Sequence, residues 1–204
     1  MNIERETGGV ESVCVYCGSS NTTDPAYIKA AAEFGAILAA KGVRLVYGGG
    51  GVGLMGACAK AAHNAGGKVL GVMPNFLRAK EILYDEVETI VVQNMHERKR
   101  IMFEQSDAFV VLPGGIGTLE EIVEMLSWKR LALHDKPMIF YSPGGFWAPF
   151  DELIKHTIDK KLTPATFIDS YRSVERVEDI LPTIAAMRAP TTPVPSKATA
   201  ASLT

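Results

Sequence analysis

Six short β-branched or apolar runs, at 12–17, 43–47, 68–73, 88–93, 108–112 and 137–141, alternate with segments of helical periodicity. That alternation leaves few folds open. Strands separated by helix-length crossovers pair in parallel, and runs that are apolar at nearly every position are strands buried on both faces. The pattern predicts an α/β fold: a single-domain, Rossmann-like, doubly wound parallel sheet with helices on both faces. Helices fit 25–41, 54–65, 95–106, 118–133, 150–160 and 177–187, with Asp24-Pro25 as a start signal and Lys41-Gly42 as a stop. A chain of 204 residues suits one such domain, placed at 11–188. Residues 1–10 lack periodicity and are expected to be flexible. Residues 189–204, mostly Pro, Thr, Ser and Ala, carry too little apolar surface to repay ordering and are expected to form a disordered tail.

The charge balance narrows the partners. A net charge of −2 and a pI near 6.1 give no general attraction to nucleic acid or to an anionic membrane, so any phosphate must be recognised locally. No apolar run approaches the roughly 18 residues that span a bilayer, and the polar first residues do not read as a secretory signal; a soluble cytoplasmic protein without a membrane partner is expected. Cys14 and Cys17 make one Cys-x-x-Cys pair and Cys58 stands alone, while His63, His96, His134 and His156 show no ligand spacing. The cysteines are therefore expected to be core thiols, with no metal bound.

In doubly wound sheets, ligands sit beyond the carboxyl ends of the strands. Three turns there are rich in glycine. The first is Gly18-Ser19-Ser20-Asn21, with flexible backbone and two hydroxyls. The second runs from Gly48 to Gly56 and contains Gly51-Val52-Gly53-Leu54-Met55-Gly56, a match to the dinucleotide pattern G-x-G-x-x-G. The following strand ends Val72-Met73-Pro74-Asn75, with no acid to hold the ribose hydroxyls, so a nicotinamide cofactor is disfavoured. These glycines either only permit a tight turn and close packing or also touch ligand. The third, Pro113-Gly114-Gly115-Ile116-Gly117-Thr118, removes side chains where a helix begins and exposes backbone N–H groups at its positive end, an anion site to which Thr118 adds a hydroxyl. It lacks the Gly-Lys-Ser/Thr of a nucleoside triphosphate loop.

Two segments could add chemistry. Met95-His96-Glu97-Arg98-Lys99-Arg100 opens a helix with strong cations near its N-terminus, where the helix dipole disfavours them. Either they form a solvated basic face, or Arg98 forks onto ligand oxygens. Thr118-Leu119-Glu120-Glu121 matches a capping box, in which Glu121 only ties back to the cap. Alternatively, the Glu121 carboxylate supports positive charge on a ribose whose glycosidic bond is breaking, or orients the attacking water. On the same helix Leu119, Ile122 and Leu126 mark one apolar side and Trp128 points roughly opposite, which implies a second buried surface.

Together, Pro113-Gly114-Gly115-Ile116-Gly117-Thr118-Leu119-Glu120-Glu121 and Met95-His96-Glu97-Arg98-Lys99 resemble the PGGxGTxxE and MHxRK-type motifs of the Lonely Guy (LOG) family of cytokinin-activating phosphoribohydrolases. The likeness runs from about residue 12 to 187. Proteins of this kind have often been labelled lysine decarboxylases, but no Ser-x-His-Lys pattern for pyridoxal phosphate is present. The resemblance implies a homodimer that hydrolyses the N-glycosidic bond of an N6-substituted adenosine 5′-monophosphate, or of AMP, without a cofactor. It implies Arg98 and Glu121 as the catalytic pair and Gly114, Gly115, Ile116, Gly117 and Thr118 as the phosphate cradle. Ser19, Glu81, Met95, Lys99 and Glu120 complete the substrate site, Glu81 near the base. The chain departs from the family at Ile116, where tyrosine is common, at Ser127, where threonine is common, and at Asn75-Phe76-Leu77-Arg78 ahead of Glu81. The alternative from another class is a non-catalytic nucleotide-binding or sensor module that uses the same loop.

Overall fold

The structure is a computed structural model that describes residues 7–78 and 82–189. Seven strands form one sheet in the order β4-β3-β2-β1-β5-β6-β7, every neighbouring pair parallel. They are β1 (Ser12–Tyr16), β2 (Arg44–Tyr47), β3 (Val69–Pro74), β4 (Glu88–Val92), β5 (Ala108–Val111), β6 (Met138–Tyr141) and β7 (Arg172–Val174). The helices are α1 (Pro25–Ala40), α2 (Gly53–Asn64), α3 (Met95–Glu104), α4 (Ile116–Arg130), α5 (Ala148–Asp159) and α6 (Ile180–Arg188). Among the described residues this is the doubly wound α/β sheet that the alternation predicts.

Strand alternation divides the core into two layers. Val13 and Val15 of β1 face one side with Leu45 and Val110, and there they meet Phe34 and Leu38 of α1, Cys58 and Ala62 of α2, and Ile180 and Ile184 of α6. Cys14 and Tyr16 face the other side with Val46 and Phe109, and there they meet Met102 of α3, Ile122 and Met125 of α4, and Phe150 of α5. The register brings these residues level, since Val13 lies beside both Leu45 and Ala108, and Cys14 beside both Val46 and Phe109. The three cysteines are buried and none is in a disulfide among the described residues. Cys14 lies in one layer and Cys17 and Cys58 in the other, so the Cys-x-x-Cys pair straddles the sheet. Burial pushes the Cys58 thiol up to about 12, which keeps it neutral.

Two expectations are corrected. β7 is a strand that hydrophobic patterning does not find, because Arg172 and Ser173 are exposed on a three-residue edge. Helix α4 begins at Ile116, two residues before the predicted start. The second buried surface expected on α4 is found at α3: Trp128 is half-buried, with its ring edge-on to Phe103 of α3 at a centroid distance of 5.2 Å. A neighbouring helix thus covers the flank that a sheet alone would leave open. The apolar residues of α4 that remain uncovered are Ile116, 84% exposed, and Val123, 49% exposed. At the amino end, Thr7 and Val10 are buried.

Candidate functional site

The strand order reverses between β1 and β5, which is where this architecture opens a crevice at the carboxyl edge. The loops leaving these two strands touch, the Gly18 N–H donating to the Pro113 carbonyl at 3.0 Å. Above them lies a cavity of about 610 Å³. It is lined by Cys17, Gly18, Ser19 and Ser20 after β1, by Arg98 of α3, and by the first turn of α4 with Glu121. Met55, Leu77 and Met95 give it an apolar side.

The α4 wall is built for an anion. Gly115 is the residue before the helix and no side chain caps it. The Leu119 N–H is bonded to the Gly115 carbonyl at 3.0 Å, and the N–H groups of Ile116, Gly117 and Thr118 precede it, where a helix offers no internal acceptor. A Cβ built on Gly115 or Gly117 would meet no atom within 4 Å, so their faces are open. Gly114 differs: a Cβ there would collide with the Thr118 side chain, so this glycine permits packing and stays off the cavity wall.

The helix start also removes the capping-box reading of Glu121. Thr118 is the third residue of α4 rather than its cap, so Glu121 lies inside the helix on its buried face, 9% exposed, and lines the cavity. Beneath it are Cys14 and Tyr16. Burial is the main cause that holds both above their ordinary values, and the Glu121 charge adds to it while Arg98 opposes it. Both therefore stay neutral under the site.

On the facing helix, a reciprocal cap fixes the first turn of α3. The Asn94 side chain accepts from the Glu97 N–H at 2.9 Å, and the Glu97 carboxylate accepts from the Gln93 N–H at 2.9 Å. The cations that follow separate by environment. Arg100 is exposed and pairs with Glu104 at 2.9 Å, as a solvated face requires. Arg98 and Lys99 are 4% and 5% exposed, which the solvated-face reading does not allow. Arg98 Nη2 donates to the Gly48 carbonyl at 3.2 Å and Nη1 rests on Met95 Sδ at 3.9 Å. Lys99 turns away from the cavity and joins Glu120 and Glu124 of α4 at 2.5 Å each. Burial lowers the Lys99 pKa, but the hydrogen bonds and charges of Glu120 and Glu124 outweigh it and leave the ammonium above its ordinary value. That bridge ties α3, which carries Arg98, to α4, which carries Glu121.

The second glycine turn is mostly closed by protein. Gly53 has φ +61°, and a Cβ there would collide with the Ser19 backbone; one on Gly56 would collide with the Gly51 backbone. Gly49 and Gly51 pair with the 82–84 strap, the Tyr84 N–H donating to Gly49 at 3.2 Å and the Gly51 N–H to Ile82 at 2.7 Å. Of this turn only Met55 reaches the cavity. Ser19, Met95, Arg98, Gly115, Ile116, Gly117, Thr118, Glu120 and Glu121 thus line one cavity, and Gly114 and Lys99 lie behind it. Glu81 is outside the described residues. Cys17, Ser20, Met55 and Leu77 join the wall without having been singled out as site residues. Their shared signal is position, since each follows closely on the carboxyl end of β1, β2 or β3.

A family model described as "Possible lysine decarboxylase" matches residues 55–184. The chain is 46% identical over 149 residues to a rice protein named probable cytokinin riboside 5′-monophosphate phosphoribohydrolase LOGL2, an alignment covering 72% of this chain and 61% of the rice protein. It thus spans about three-fifths of that relative's length. An Arabidopsis thaliana protein of the same name, LOG6, is 38% identical over 172 residues, 84% of each chain. Among solved structures, the molybdenum cofactor carrier protein of Chlamydomonas reinhardtii superposes with a TM-score of 0.65 over 86% of this chain and 96% of its own, at 23% identity, a likeness of fold alone. With the motif-bearing loops on one cavity and relatives matched across most of the domain, the chain belongs to the LOG family, that of the cytokinin riboside 5′-monophosphate phosphoribohydrolases.

Proposed function

We propose that this chain hydrolyses the N-glycosidic bond of a nucleoside 5′-monophosphate, an N6-substituted adenosine monophosphate or AMP, to free base and ribose 5-phosphate. The observation that carries the reading is that buried Arg98 and Glu121 line one cavity together with the uncapped N-terminus of α4. The phosphate sits on the N–H groups of Ile116, Gly117 and Thr118, where the helix dipole favours negative charge. Arg98 forks onto phosphate or ribose oxygens. The base rests against Met55, Leu77 and Met95. As the bond from the base nitrogen to C1′ breaks, its electron pair leaves with the base, and the Glu121 carboxylate stabilises the positive charge growing on the ribose. Water then adds to C1′, giving one proton to Glu121 and on to the departing base. None of these steps calls for a metal or an organic cofactor.

The protein acts in the cytoplasm as a homodimer. No helix among the described residues is long and apolar enough to cross a membrane. Ile116 and Val123 stand exposed on α4, Ile116 at the cavity rim, so a second copy packed there covers exposed apolar surface and closes the site. Incubation with AMP and with isopentenyl-AMP, followed by chromatography for free base and ribose 5-phosphate, tests the reaction. Release of both products is expected. Tight AMP binding with no release would make the chain a nucleotide-binding module instead.

A further inference from the structure

Gly48 follows β2 directly and is buried, with a backbone φ outside the left-handed region, so the chain conformation there admits alanine. What excludes a side chain is Arg98, fifty positions later in sequence. A Cβ built on Gly48 would overlap Arg98 Nη2 and lie 3.1 Å from its Cζ, with Met55 Sδ next at 3.2 Å. The same residue's carbonyl accepts from Nη2 at 3.2 Å. The guanidinium therefore fills the volume that a side chain at 48 would take and is held there by that residue's own main chain. We infer that Gly48 is a positioning residue that seats the Arg98 guanidinium in the cavity wall. A methyl group at this position pushes the fork off its seat and turns its donors from the ligand. A shift of about 1 Å in a charged catalytic group is of a size that lowers turnover by up to ~100-fold. The catalytic consequence rests on the hydrolytic reading above; the steric claim does not.

A double-mutant cycle separates the two. Gly48→Ala, Arg98→Ala and the combined variant are compared with the parent chain for melting temperature, for AMP affinity by calorimetry and for base release. Gly48→Ala is expected to lower the melting temperature by several degrees and to cut kcat at least tenfold in the parent. In the Arg98→Ala background, where the guanidinium is gone, it is expected to change neither. A Gly48→Ala chain that fails to fold while the combined variant folds gives the same answer in stronger form. Equal thermal losses in both backgrounds would overturn the inference, because the collision would then be with Met55 or the strand. If the parent releases no base, the hydrolytic reading fails, and the thermal cycle still decides the role of Gly48.

Discussion

Two turns of this molecule look alike in sequence and differ in what surrounds them. Gly48 to Gly56 links β2 to α2, and Pro113 to Thr118 links β5 to α4; both are glycine-rich and both open a helix at the carboxyl edge of the sheet. In the first, the missing side chains are replaced by protein: Arg98 against Gly48, Ser19 against Gly53, and one stretch of the turn's own backbone against Gly56. In the second, Gly115 and Gly117 face open space above the uncapped helix end. Glycine content marks only where a backbone must be bare. Whether a neighbouring segment or a ligand needs the room is decided by the packing around it.

The largest expected effect lies one turn beyond the open glycines. Glu121→Gln should leave a folded protein that binds AMP but releases base at least ~100-fold more slowly, because an amide can neither offset a ribosyl cation by charge nor take a proton from water. Since Glu121 lies inside α4 and not at its cap, loss of a cap cannot explain such a fall. Normal turnover in this variant would take the carboxylate out of the reaction.

Next comes the closed turn. Gly56→Ala gains about 1 kcal/mol of helix propensity, yet it drives a methyl into the Gly51 backbone, an overpacking that typically costs 1–3 kcal/mol and here should reach about 3 because neither backbone can yield. Urea unfolding should show a net loss of about 2 kcal/mol. Unchanged stability would mean that the two turns are not different in kind. Arg98→Lys keeps the charge but not the fork, and kcat/KM for AMP should fall at least about tenfold, or about 1.4 kcal/mol. Steady-state kinetics at saturating and limiting AMP would show it, and full activity would reduce Arg98 to a buried cation.

Much of the frame was legible beforehand, because strands buried on both faces write themselves as continuous apolar runs. What was not legible has physical reasons. β7 pairs on one side only and exposes Arg172 and Ser173, so it carries no hydrophobic signature. The start of α4 was hidden because Gly115 caps with no side chain, while Thr118 and Glu121 imitate a box two residues on. The cover on Trp128 comes from Phe103, a contact between helices that periodicity along one of them cannot reveal. Likewise, Lys99 and Arg98 adjoin in sequence but face different partners, one a pair of glutamates and the other the cavity. The motifs lie on loops that share one cavity; the division between wall and support came only with the fold.

The central claim is that the turn after β5 holds a phosphate, and Gly117→Ala tests it most directly. The position is helical with free space around it, so alanine should leave the melting temperature equal or higher, by up to about 1 kcal/mol of propensity. Affinities for AMP and for adenosine are then measured by calorimetry in the Glu121→Gln background, where AMP is not consumed. A methyl group pointing into the cradle should weaken AMP about tenfold, about 1.4 kcal/mol, and leave adenosine unchanged. Equal weakening of both ligands, or of neither, would contradict the claim.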